Sequence, residues 1–287
     1  MSLDRPCWLT LSNVGTDNSG PDSDLTGFIL KAGSKESSFS NWALANTPDT
    51  QGLLVTGTRV RAGLLFVCVN PSNQVWALKL TDKSVVAKMA LPVSAFCNDL
   101  GFDTSGQLFV TTNGNAGKPD ILYKLAANLV PTTSASSTVA STAWKTWHTA
   151  PVGEGGLNGL VFSSTLGKLL WSQGASIRSS ATTGDTATAS TEVNLPTTWN
   201  VDGMQLTAAG NLLVIVGESS ATTVTNLGAQ KINLSTGTKG ATSAVAGGAN
   251  CSTTVAIVGD DAFCTTGNDS NNQAIQKVLR LTGAGKL

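Results

Sequence analysis

Asn98, Asn158 and Asp202 are the residues of this chain best suited to chemistry by type and spacing. Each stands at the head of a similar pattern: Asn98-Asp99-Leu100-Gly101-Phe102, Asn158-Gly159-Leu160-Val161-Phe162 and Asp202-Gly203-Met204-Gln205-Leu206. One carboxylate and two amide oxygens make a hard-oxygen donor set. Such a set takes Ca²⁺, Mg²⁺, Mn²⁺ or Zn²⁺, with waters completing the shell. A cation held this way polarises a carbonyl and lowers the pKa of a bound water. Asn and Asp ahead of Gly also serve turns, where their side chains bond nearby backbone. On pattern alone both roles stand.

The elements that must position these residues are hairpins. Each motif continues into a turn and a second apolar strand: Leu108-Phe109-Val110 after Gly106, Leu169-Leu170-Trp171 after Gly167, and Leu212-Leu213-Val214 after Gly210. Strand, glycine-bearing turn, strand is a hairpin signature. Weaker copies begin at Gln51-Gly52-Leu53 and near Thr253. The copies lie about 45–60 residues apart, the period of a four-stranded propeller blade. Further strands follow the hairpins at Gln74 to Leu80 and Ile121 to Leu125. Counting Met1 to Asn46 as one irregular unit, the spacing predicts an all-β, six-bladed β-propeller with four-stranded antiparallel blades, in one domain over 1–287. The inner strand of each blade starts near one mouth of the channel, so Asn98, Asn158 and Asp202 should converge there. A β-sandwich with coincidental hairpins is the competing fold. Thr132 to Thr142 and Ser179 to Ser190, rich in Ser, Thr and Ala, read as exposed loops.

The three motifs resemble those of the senescence marker protein, gluconolactonase and luciferin-regenerating enzyme family, in the same order and near the same spacing, over about residues 50–220. The resemblance implies a six-bladed propeller with a divalent metal in its channel and hydrolysis of a lactone or related ester. It makes Asn158 and Asp202 metal ligands, Asp202 a candidate general base, and Asn98 a substrate contact. The family's first-blade Glu ligand, in a Glu-Gly-Pro setting, has no counterpart. Gln51-Gly52 resembles it locally but sits one blade late, and Arg5-Pro6-Cys7-Trp8 offers no carboxylate.

Other candidates surround the same mouth. Gln51 and Glu154 are assigned to substrate binding, Glu154 from a glycine-rich loop just before Asn158, where its charge would offset the missing Glu, with a solvated loop residue as the alternative. Trp199, three residues before Asp202, would stack on a flat ligand, with core packing as the alternative. Among the seven tryptophans, Trp8, Trp76, Trp147 and Trp171 are expected to pack between blades. His148 is the only histidine, and with no Gly-x-Ser-x-Gly elbow it is read as an edge-strand residue rather than a triad member. Cys251 and Cys264 flank one hairpin and either pair or remain buried thiols. The five cysteines include no CxxC pair, which argues against a zinc cluster.

Composition narrows the function classes. Net charge is zero and only 13% of residues are charged, so no electrostatic footprint for nucleic acid or an anionic membrane is present. No apolar run approaches the roughly 18 residues of a membrane span. Met1 to Trp8 lacks the apolar stretch of a secretory leader, while low charge and abundant Ser and Thr lean toward a secreted protein. The expected partner is a small-molecule substrate, and the expected state is a monomer. Three readings follow: a metal-assisted hydrolase, a metal-free propeller enzyme of secondary metabolism (condensing or hetero-Diels–Alderase-like) that works by positioning, and a non-catalytic small-molecule-binding propeller.

Overall fold

Every residue of Leu64–Asn70 is buried. Successive side chains of a strand point to opposite faces, so such a strand needs cover on both. The computed structural model meets that need by packing sheets face to face. It describes residues 30–31, 40–41, 54–70, 72–82, 84–92, 96–114, 117–133, 137–154, 156–219, 224–234, 242–266 and 278–287.

A short pair, β1 (Leu30–Lys31) and β2 (Ser40–Asn41), precedes the blades. The first blade runs from β3 (Leu54–Arg61) through β4 (Leu64–Asn70) and β5 (Gln74–Lys79) to β6 (Val85–Ala90). The second comprises β7 (Phe96–Phe102), β8 (Leu108–Asn113) and β9 (Ile121–Leu125). A strand from its outer connection, β10 (Ser137–Val139), pairs in parallel with β6, and β11 (Lys145–Thr149) then completes the second blade. The third holds β12 (Leu157–Ser163), β13 (Lys168–Gln173), β14 (Ser176–Ala181) and β15 (Ser190–Asn194). The fourth holds β16 (Trp199–Leu206), β17 (Leu212–Ser219), β18 (Val224–Ile232) and β19 (Thr242–Ala244), and the last β20 (Cys251–Val258), β21 (Asp261–Thr266) and β22 (Val278–Leu281). Strands β3, β7, β12, β16 and β20 are neighbours in turn and form the inner wall.

The described residues therefore make five blades, not the six expected. The unit expected from residues 1–46 falls outside them except for β1 and β2. The second, third and fourth blades have the expected four strands. The first carries β10 as a fifth, and the last shows three. The two stretches read as loops are partly strand: β10 lies in one, and the ends of β14 and β15 in the other. Small Ser and Thr side chains suit the outer strands β10 and β15, where little apolar burial is demanded, while Ser179 and Ser180 of β14 are buried.

The core consists of layers between blades. Leu64, Phe66 and Cys68 face Cys97, Leu100 and Val110 of the next blade. Phe109 and Trp147 meet Leu157, Leu160 and Trp171. Leu170 and Ile177 meet Val201, Met204 and Val214, and Leu213 and Ile215 meet Val255, Ala262 and Cys264. Each fully buried Leu, Ile or Phe contributes about 1.5–3 kcal/mol. Trp76, Trp147 and Trp171 are buried, the last two stacked edge to face 5.8 Å apart, while Trp8 lies outside the described residues. Among those residues no helix is long and apolar enough to cross a membrane.

Two disulfides fasten this framework. Cys251–Cys264 joins the two strands of the last hairpin. Cys68–Cys97 joins the first blade to the second, a pairing that sequence separation concealed. Such bridges persist in oxidising surroundings. Closing loops of 29 and 13 residues restricts the unfolded chain by about 3–4 kcal/mol each in the chain-entropy treatment. Reduction under mild denaturant should therefore lower the unfolding midpoint, and Cys68→Ala/Cys97→Ala should lose at least about 2 kcal/mol in urea melts. An unchanged midpoint would show that neither bridge constrains the chain.

Candidate functional site

The inner strands share one defect. Each breaks register with its partner near its start: between Val55 and Thr58, Cys97 and Leu100, Leu157 and Leu160, Val201 and Met204, and Cys251 and Val255. A bulge of this kind re-aims side chains and ends regular pairing. It explains the repeated motif, because Asn98-Asp99, Asn158-Gly159 and Asp202-Gly203 are the bulged residues of β7, β12 and β16. Glycine is required where neighbouring bulges touch. A Cβ on Gly159 would fall on the Asp202 carbonyl oxygen, and one on Gly57 would fall on the Asp99 backbone.

The Asn158 side chain lies beside Asp202 and acts on its carboxyl. Asn98 reaches Leu157, the residue before Asn158. Its amide nitrogen donates to Asn113 Oδ1 at 2.7 Å and to the Leu157 carbonyl at 3.3 Å. Asn113 donates to the same carbonyl at 2.9 Å, Asp120 accepts from Leu157 N at 2.9 Å, and Thr111 donates to the Asn158 carbonyl at 2.8 Å. The strand that carries Asn158 is thus clamped from the preceding blade. Both the ligand and the turn reading of Asn98 have a physical basis here: its nitrogen holds backbone, and its oxygen accepts no bond among the described residues.

Asp202 is the chemically unusual group. Burial pushes its carboxyl up to about 7, the charge of Asp99 pushes the same way, and the neighbouring Asn158 amide only partly offsets them. Among the described residues no Lys or Arg pairs with it. Asp99 is also raised, first by burial. Against that act the Arg59 charge and hydrogen bonds from the backbone N–H of Leu100 and Leu160, at 2.8 and 2.9 Å.

Arg59, on β3, was not anticipated from the sequence. Its Nε donates to the Leu100 carbonyl at 3.0 Å and its Nη2 to the Leu160 carbonyl at 2.7 Å. Asp99 Oδ2 lies 3.6 Å from Nη2. With its amide oxygen turned inward, Gln205 accepts from both Nη1 and Nη2. One guanidinium therefore ties β3 to β7, β12 and β16. Beside it lies a channel cavity of about 190 Å³, walled also by Asp99, Gln205, Met204, Val255 and Ile257.

The other expected residues lie elsewhere. Glu154 is exposed, accepts a bond from Gln173 at 3.0 Å and sits 3.6 Å from Arg178. No bond links it to Asn158 or Asp202. Trp199 is half-buried against the apolar layer between the third and fourth blades. Gln51 lies outside the described residues. His148 sits on β11, tilted against Trp171 and bonded to Gln173; burial holds its pKa below the usual value.

For a divalent cation the donor chemistry fits in part. Asp202 supplies carboxylate oxygens, Asn158 an amide oxygen, and the buried charge of Asp202 lacks a positive partner among the described residues. Those residues contain no group of three His, Cys, Asp or Glu side chains that could hold a metal.

The sequence matches no protein-family model and no curated protein. Solved structures do match. A protein of unknown function from Bacteroides caccae is 13% identical, covers 91% of this chain and 88% of its own, and superposes with a TM-score of 0.56. A gluconolactonase from Xanthomonas campestris is 14% identical over 80% of this chain and 72% of its own, with a TM-score of 0.54. What the likeness shows is the fold. A chain of the mitotic checkpoint complex matches at 14% identity with a TM-score of 0.50, covering 86% of this chain and 68% of its own, so propellers of very different use share this frame.

Proposed function

We propose that this propeller hydrolyses a lactone or related ester of a small molecule at the mouth of its channel, with Asp202 as general base. The observation that carries the reading is the Asp202 carboxyl, raised to about 7 by burial and the charge of Asp99, with Asn158 beside it. A base is most effective when its pKa lies near the working pH. Asn158 orients the carboxylate, and the negative charge of Asp99 raises its proton affinity. Ionised Asp202 would take the proton from the water that attacks the ester carbonyl, then return it to the departing alkoxide. The bulges hold these groups on rigid strands, which favours positioning. Asp202 and Asn158 would be the protein ligands of a divalent cation (Ca²⁺, Mg²⁺, Mn²⁺ or Zn²⁺). Such a cation would act as a Lewis acid on the carbonyl.

The test is turnover of a panel of γ- and δ-lactones and aryl esters, with each cation added and with chelator. Lactone hydrolysis that chelation abolishes and added cation restores is the expected result. Hydrolysis indifferent to chelator would leave Asp202 acting without a metal. No turnover above background with any compound would contradict the proposal.

A further inference from the structure

We infer that the cavity beside Arg59, walled in part by the bulge residues Asp99 and Gly203, is a binding site for a small organic monocarboxylate, received by Arg59 and Gln205. This does not depend on the hydrolytic reading. The cavity of about 190 Å³ has room for about six waters, which suits a molecule of a few carbons. Arg59 carries five N–H donors. The Leu100 and Leu160 carbonyls and the Gln205 oxygen are its hydrogen-bond partners among the described residues, which leaves a donor on Nη1. The side chain is 22% exposed. Asp99 does not saturate it: the carboxylate accepts from two backbone N–H groups and stays 3.6 Å from Nη2.

The walls select the ligand. Asp99 leaves little net positive charge, so a dianion such as phosphate or sulfate would meet repulsion that a monoanion largely escapes. Met204, Val255 and Ile257 line the same cavity and suit a short carbon skeleton, which chloride does not have. With its oxygen on Arg59, the Gln205 amide nitrogen can donate to a carboxylate oxygen while the remaining Nη1 donor of Arg59 supplies the charge-assisted bond.

The experiment is calorimetric and thermal-shift titration with acetate, glycolate and butyrate, in buffer stripped of metals on a chelating resin. Butyramide, chloride and phosphate serve as comparisons. Saturable binding of the carboxylates, with none of the amide or the inorganic ions, is expected. Gln205→Glu should keep the fold, because its carboxylate still accepts from Arg59, and should weaken carboxylate binding at least tenfold by filling the anion position. Asp202→Asn should still bind carboxylate. Absence of saturable binding, equal response to butyramide or phosphate, or unchanged affinity in Gln205→Glu would overturn the assignment. Binding lost in Asp202→Asn but kept in Gln205→Glu would place the anion beside Asp202, overturning this site and leaving the hydrolytic reading intact.

Discussion

Asp202→Asn is expected to remove hydrolysis and, at the same time, to stabilise the protein above pH 7. The first effect follows from losing the base, a step that contributes typically about 10²–10⁴-fold. The second follows from linkage. The folded-state pKa of about 7 lies above the ordinary value of 3.8, so the folded protein holds this proton more tightly than the unfolded chain. The resulting stability is full below about pH 4, declines as pH rises from about 4 to about 7, and is absent above. One pKa unit is about 1.4 kcal/mol, so ionisation of Asp202 costs the fold at most about 4 kcal/mol. Asparagine carries no charge, and urea melts of the variant should lose that slope between about pH 4 and 7. A divalent cation added to the wild type should recover part of the same stability by supplying a positive partner. A variant less stable than wild type at pH 8, or one that keeps its activity, would contradict the role given to this residue.

Arg59→Met should be the most damaging single change among the inner strands, at about 3–5 kcal/mol. Methionine fills a similar volume, so the loss would be electrostatic. The Leu100 and Leu160 carbonyls and the Gln205 oxygen lose their donor, and Asp99 loses its nearest cation. Unfolding in urea should show a lower midpoint with an unchanged slope. Arg59→Lys should fall between the two, because an ammonium cannot reach several carbonyls with one rigid fork. A loss below about 1 kcal/mol in Arg59→Met would show that the guanidinium does not join the blades.

The placement of Asn98, Asn158 and Asp202 was legible because a bulge imposes a local demand. It needs a small or polar residue followed by one that tolerates close contact, and that demand recurs in the sequence. The outward strands were legible as apolar runs after each hairpin, as with Gln74 to Leu80 and Ile121 to Leu125. What was hidden depends on contacts between blades. Asp99 stands where Asn158 and Asp202 are followed by Gly, and that exception in the repeat was the available signal. Arg59 alternates with Thr58 and Val60 as a solvent-facing strand residue would, and only the neighbouring carbonyls show that it turns inward. Cys68 and Cys97 meet because consecutive blades pack together. Glu154 and Trp199 stood near Asn158 and Asp202 in sequence, yet each is committed to local partners: Arg178 and Gln173 for one, the apolar layer for the other.

Metal-assisted hydrolysis requires Asp202 and Asn158 to form a cation-competent pair. Crystals soaked in Mn²⁺ and measured at an anomalous wavelength test this most directly. One strong peak is expected in contact with an Asp202 carboxylate oxygen and the Asn158 amide oxygen, absent in Asp202→Asn. Density at other residues only, or none at millimolar Mn²⁺, would contradict it.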